Sequence, residues 1–265
     1  MGNLDGISKP MPSTTLPGFA GKTALITGAA SGIGASCARW LDSQGIGKLI
    51  LIDRDLDGLG RLGLSCSCEN HGADVSDESF WDRMDASLSE LDFAVVNAGI
   101  GAFGPFAEHT MKDWRRVMGV NLDGAFLTLR TSLRAMKKSG GGSVVLVSSV
   151  TGHKAVPGIG AYGVAKAAVS HMSRVAAAES AQDNIRVNAI APGGADTAIW
   201  DTGEAFREAV QKHGRDAALQ GLAVGTPRGK LATSDEIAAN IGYLLSDAAA
   251  NVTGTVHISD GGFSL

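Results

Sequence analysis

The chain has 265 residues, 44% of them hydrophobic, enough to bury a full core in one or two domains. Its formal net charge of −4, with acids and bases interspersed, offers no basic patch to nucleic acid, and no run reaches the roughly 18 apolar residues of a membrane span. Cysteine occurs three times, at Cys37, Cys66 and Cys68; an odd count without metal-ligand spacing reads as reduced thiols in a cytoplasmic protein that holds no metal.

Residues 1 to about 19, "MGNLDGISKPMPSTTLPGF", are polar, Pro-containing and aperiodic, the pattern of a flexible leader. They lack the basic-then-apolar order of a signal peptide. The folded domain is expected over 20–265. Six short apolar runs read as strands: "KTALITG", "KLILID", "FAVVNAG", "GSVVLVSS", "IRVNAIAPG" and "TVHISDGG". Several are apolar throughout, as strands covered on both faces by helices are. Between them lie helical patterns, among them "SGIGASCARWLDSQG" and two long ones at about 112–138 and 161–181. Strand alternating with helix predicts an α/β fold, a doubly wound parallel sheet in a single domain. The charged, Gly-containing segment from about 197 to 232 breaks the alternation and reads as an irregular lid over a site.

Glycine is frequent, 36 residues in short clusters, and one cluster has a specific context. In "TALITGAASGIGAS", Gly28, Gly32 and Gly34 stand where the first strand meets the first helix. Glycines there let the backbone turn sharply and approach a pyrophosphate resting on the helix N-terminus. Nineteen residues beyond Gly34 the second strand ends in Asp53, placed to accept hydrogen bonds from both adenosine ribose hydroxyls. Its charge would repel a 2′-phosphate and so favours NAD over NADP, although Arg54 beside it softens that preference. A literal G-x-G-x-x-G at Gly58–Gly63 follows no strand directly and is read as a turn.

Tyr162 is one of only two tyrosines, and Lys166 lies four residues on, so a helix places both on one face. A nearby ammonium favours the phenolate and would lower the phenol's pKa of about 10 towards a usable range. Such a tyrosine can take a proton from an alcohol as hydride leaves, or return it to a ketone.

Taken with "TGAASGIG", "VNAG" (96–99), "VN" (120–121), "SS" (148–149), "YGVAK" (162–166) and "PGGADT" (192–197), the chain from about Gly21 onward resembles the classical short-chain dehydrogenase/reductase family. The resemblance implies a single Rossmann-type domain with a seven-stranded parallel sheet. It implies Ser149 as the group that hydrogen-bonds the substrate oxygen, Tyr162 as acid/base, and Lys166 as the ribose-holding cation. Asn121 would anchor a water that links the lysine to solvent. It further implies a dinucleotide shell of Gly28, Ser31, Gly32, Ile33, Gly34, Asp53, Asp74, Val75, Asn97, Gly99, Pro192, Gly193 and Thr197, with Tyr162 and Lys166. Ser148 has the wrong spacing for the catalytic serine. The family commonly has asparagine where this chain has Val96, a departure that touches the sheet more than the chemistry.

Around the nicotinamide end, Phe103, Phe106, Val156, Ile199 and Trp200 form an apolar wall, with Lys154 the one cation near. His153, on the loop that lines the cleft in the family, is a candidate substrate contact. The expectation is an NAD-dependent oxidoreductase of a neutral, moderately hydrophobic secondary alcohol or its ketone. The alternatives are a 3-oxoacyl-thioester reductase, a hydroxysteroid dehydrogenase, or a dinucleotide-binding sensor without activity. A serine hydrolase is excluded, since no G-x-S-x-G elbow carries Ser149. Relatives pack the two long helices and the C-terminal "DGGF" between subunits, so a homotetramer or dimer is expected.

Overall fold

The computed structural model describes residue 16 and residues 18–265. The expected leader falls at residues 1–15 and 17 outside the described residues, but its end does not behave as a leader. Phe19 is 1% exposed and packs edge-on against Trp40 and tilted against Phe93, so the folded core begins at least one residue earlier than the sequence suggests.

Seven parallel strands form one sheet in the order β3-β2-β1-β4-β5-β6-β7. They are β1 (Thr23–Thr27), β2 (Lys48–Asp53), β3 (Ser67–Gly72), β4 (Phe93–Val96), β5 (Gly142–Val147), β6 (Ile185–Pro192) and β7 (Val256–Ser259). β1, β2, β4 and β5 are almost wholly buried because helices cover both faces. The apolar runs account for six strands; β3 is the seventh. Its residues SCENHG have no apolar run because it is an edge strand whose side chains are largely exposed. What holds it is backbone pairing to β2, from Lys48↔Ser67 to Asp53↔Gly72, with a Lys48–Glu69 ion pair across the two strands.

One face of the sheet is covered by α3 (Glu78–Ser87), α5 (Gly124–Ser139) and α6 (Gly160–Ser180), around a core that includes Trp81, Met136 and Val187. The opposite face is covered by α1 (Gly32–Ser43) and α9 (Ser234–Leu245), around Leu41, Leu51, Val145 and Ile241. Val96 lies in the first of these cores, 4% exposed, where an apolar side chain is the natural occupant. The short α2 (Leu56–Gly60) contains the first half of the second glycine motif.

Two expectations are corrected. The long helix at 112–138 is α4 (Met111–Met118) and α5 joined by a π-helical turn at Gly119–Asp123. The cause is Asn121, which turns inward and donates to the carbonyls of Val117 (3.1 Å) and Ile100 (3.0 Å). The segment at 197–232 is mostly helical rather than irregular: a 3-10 turn at Ala198–Thr202, then α7 (Glu204–His213) and α8 (Arg215–Ala223). Arg215 ties it down through Asp201 (2.7 Å) and Asp196 (3.0 Å). No helix among the described residues is long and apolar enough to cross a membrane.

The strand order reverses between β1 and β4, which opens a crevice at the carboxyl ends of the strands. The candidate residues lie at those ends.

Candidate active site

A cavity of about 420 Å³ occupies the crevice and reaches from Arg54 to Thr202. Gly28 and Gly32 line it with φ of +66° and +51°, in the left-handed region that favours glycine. Gly34 does not face the cavity but lets α1 approach the loop, since a Cβ there would lie 2.1 Å from the Gly28 carbonyl oxygen. Ser31 precedes α1 without capping it through its side chain, so the first-turn amides of this 12-residue helix lack a side-chain cap. Ser31 and Ile33 line the cavity, as do Val75, Gly99 and Thr197.

Asn97 fastens this loop to β4. Its side chain donates to the carbonyls of Thr27 (2.9 Å) and Gly28 (3.2 Å), while its amide donates to the Thr27 hydroxyl (3.0 Å). Asp53 closes one end. Each of its oxygens accepts one amide, from Ala30 (3.0 Å) and Asp55 (3.0 Å). Asp74 stands beside it at the rim. Burial works against its ionisation, but the Ser76 amide and hydroxyl, with Arg54 at 3.8 Å, outweigh it and hold the carboxyl below the usual range. The donor set fits a nicotinamide dinucleotide: a glycine cradle at a helix N-terminus for the phosphates, and carboxylates where an adenosine would lie.

Tyr162, Ser149 and Lys166 meet deeper in. Ser149 follows β5, and its hydroxyl accepts from the Thr151 hydroxyl (3.0 Å) and stands close enough to Tyr162 to favour its ionised form. Lys166 lies one turn along α6 from Tyr162, its ammonium 5.6 Å from the phenol ring and donating to the Val147 carbonyl at 2.7 Å. Asn121 does not line the cavity; it is fully buried behind it, near Gly99, where an added Cβ would meet both Asn121 Oδ1 (2.6 Å) and Lys166 Nζ (3.5 Å).

The electrostatics depart from the sequence expectation. Burial pushes the Tyr162 pKa up to about 12, with the Ser149 hydrogen bond pulling the other way. The same burial pushes Lys166 down to about 8. Both groups are desolvated: burial holds Tyr162 in its neutral form, while Lys166, at about 8, still carries most of its charge at neutral pH.

This has a consequence for stability. Between pH 8 and 10.5 the folded protein has released the Lys166 proton while the unfolded chain still holds it, so this lysine's contribution to stability rises with pH through that window. The integrated effect is about 3 kcal/mol. In Lys166→Met this rise is absent, and urea unfolding of the ligand-free proteins across the window reads the difference. Above pH 9 the buried Cys37 and half-buried Cys66 thiols, and above pH 10 Tyr162, contribute the opposite slope in both proteins, because their folded pKa values are raised.

A second cavity of about 380 Å³ adjoins the first, and Tyr162, Thr197 and Ile199 line both. Ser149, Pro192 and Gly193 line only this second cavity, so the last two stand on the substrate side of their expected place. Its walls include Phe103, Val156 and Trp200, as expected, with Trp200 stacked on Phe103 and anchored to the Ala195 carbonyl at 2.8 Å. Leu222, Leu231 and Phe263 also line it; no motif marks the segments of the two leucines, and Phe263 ends the "DGGF" from which a subunit contact is expected.

Two expected contacts are corrected. Phe106 is 60% exposed and packs towards Trp114 and His109 outside the cavity. His153 also faces away, with Nε2 3.1 Å from the Ser170 hydroxyl. Ser170 in turn is 2.6 Å from Ser148, whose hydroxyl donates to the Lys166 carbonyl at 2.8 Å. A carbonyl can only accept, so Ser148 donates to it, Ser170 donates to Ser148, and His153 presents Nε2–H. Ser148 and His153 therefore brace α6 from behind: the Ser148 hydroxyl is engaged there although the residue borders the second cavity, and His153 does not border it.

Residues 28–264 match the family described as "Enoyl-(Acyl carrier protein) reductase". The chain is 36% identical to cis-4-hydroxycyclohexanecarboxylate dehydrogenase from Sinomonas cyclohexanicum, covering 93% of this chain and 98% of the relative. It is 31% identical to D-threitol dehydrogenase from Mycolicibacterium smegmatis (strain ATCC 700084 / mc(2)155), covering 92% and 94%. The crystal structure of levodione reductase superimposes with a TM-score of 0.84 at 32% identity, over 93% of this chain and 99% of that one.

Proposed function

The chain belongs to the classical short-chain dehydrogenase/reductase family and is an oxidoreductase of the kind that binds a nicotinamide cofactor; from that premise we propose that it interconverts a neutral, moderately hydrophobic secondary alcohol and its ketone with NAD(H). One observation carries this reading. Tyr162 stands where a polar cavity edged by Asp53 meets an apolar cavity that has no charged residue among its described lining.

A bound nicotinamide dinucleotide supplies the hydride acceptor or donor and, when oxidised, a positive charge beside these groups. The chain's own residues do the rest. The Ser149 hydroxyl holds the substrate oxygen and stabilises the charge that develops on it. The Tyr162 hydroxyl gives or takes the proton at that oxygen. Lys166 holds the ribose and keeps a cation near the phenol, and Asn121 maintains the turn behind it. Thr197 orients the nicotinamide end.

Asp53 supports NAD over NADP, because a 2′-phosphate would meet its charge at close range. The missing cation supports a neutral substrate. Lys154, the one candidate, spends its ammonium on the Phe263 carbonyl at 2.5 Å. A carboxylate in the apolar cavity would be desolvated without a partner. The exposed Phe126 on α5, with Val164 and Val175 on α6, supports association of subunits through these helices as a homotetramer or dimer.

Initial rates with NAD across neutral secondary alcohols, hydroxy acids and hydroxyacyl thioesters test the reading. A preference for neutral alcohols of at least about tenfold in kcat/KM is expected, since one unpaired buried charge costs several kcal/mol. A preference for the acids or thioesters would overturn it.

A further inference from the structure

The far end of the chain also reaches the substrate side of the site. Phe263, the third residue from the end of the sequence, lines the apolar cavity with Val156, Trp200 and Leu231. A closed turn holds it there. The Asp260 carboxylate accepts the amides of Gly262 (2.9 Å) and Ser264 (2.7 Å), while the Asp260 carbonyl accepts that of Phe263 (3.2 Å). Gly261 and Gly262, at φ of +62° and +89°, permit the turn.

A second contact fixes the phenyl ring. Lys154 Nζ donates to the Phe263 carbonyl at 2.5 Å and lies 4.5 Å from the ring centroid, a cation–π distance. Lys154 follows directly on the turn that begins at Ser149. The C-terminus and the Ser149–Tyr162 loop are thus latched to each other across one edge of the cavity, within a single chain.

We propose that Phe263, positioned by Lys154, is a specificity-determining residue that limits the size of the substituent a substrate can carry. The proposal rests on the apolar cavity being the substrate site. The lysine at its carbonyl and over its face holds the ring against the cavity. Substrates that need its space must displace it and break the latch.

The test uses the full chain and a series of secondary alcohols of increasing substituent size. Phe263→Ala is expected to raise the kcat/KM ratio of bulky to small substrates by about tenfold or more, mainly through KM, as a few methylenes of pocket space are worth. Lys154→Met should shift the ratio in the same direction by less, and Lys154→Arg, which keeps the cation, should return it to the wild-type value. NADH affinity, followed by fluorescence, should stay unchanged, because Phe263 lies outside the dinucleotide cavity. Phe263→Leu gives the same reading with a milder change if the alanine variant does not fold. Trp200→Ala reports on the cavity independently. If it moves the ratio and the Phe263 variants do not, the proposal is wrong and the substrate site stands. If none of them moves it, the substrate site itself has been misassigned and the proposal falls with it.

Discussion

Tyr162→Phe lowers kcat by about 100- to 10,000-fold, the range of a lost general acid/base, while the NADH dissociation constant stays within about twofold of wild type. The loss is expected to be large because no substitute is at hand. Tyr162 is the one titratable residue among the described residues that lines both cavities. Lys166 lines only the dinucleotide side, and no histidine or carboxylate faces the apolar one. Ser149 and Thr151 supply hydroxyls, but at neutral pH these neither accept nor release a full proton. The phenyl ring of the variant keeps the packing of α6, so folding and cofactor binding persist. Steady-state kinetics with a cofactor titration separates the two effects.

Asp53→Asn moves cofactor preference towards NADP. Two unit charges about 4 Å apart repel by about 4 kcal/mol in a surface-like dielectric, and salt and side-chain motion reduce that. A fall in the NAD-to-NADP ratio of kcat/KM by about 100-fold corresponds to about 2.7 kcal/mol and is the expected size. Asparagine keeps one oxygen for the Ala30 amide, so the glycine-rich loop retains its brace, while the exposed Asp55 amide gives up its acceptor to water. Arg54, 72% exposed in its side chain at the same rim, is free to turn towards a 2′-phosphate once the carboxylate is gone. A ratio unchanged within about threefold would mean that Asp53 does not face the ribose.

The sheet and the catalytic cluster were legible in the sequence because each leaves a local mark. Buried parallel strands read as apolar runs, and the glycine loop, Asp53 and the Tyr162–Lys166 pair sit at spacings that chemistry requires. What escaped has physical reasons. β3 is polar because it is an edge whose cohesion is backbone pairing, which leaves no side-chain pattern. The π turn at Gly119–Asp123 depends on where Asn121 points, which helical periodicity does not encode. Phe263 and Leu231 join the cavity through tertiary folding from about 100 and 70 residues beyond Tyr162; no motif surrounds Leu231, and "DGGF" does not say that its phenylalanine turns to the cavity. The opposing pKa values of Tyr162 and Lys166 follow from burial, a property of the whole fold rather than of a four-residue spacing. His153 was placed at the substrate from its position in the chain; its ring direction, set by Ser170, decides otherwise.

In the proposed reaction hydrogen passes directly between the substrate carbon and the nicotinamide ring. An alcohol from the panel, deuterated at its carbinol carbon, tests this transfer when turned over with NAD and the reduced cofactor is analysed by mass spectrometry. One deuterium in the reduced nicotinamide is expected for each ketone formed. Deuterium appearing in solvent, with an unlabelled reduced cofactor, would contradict it.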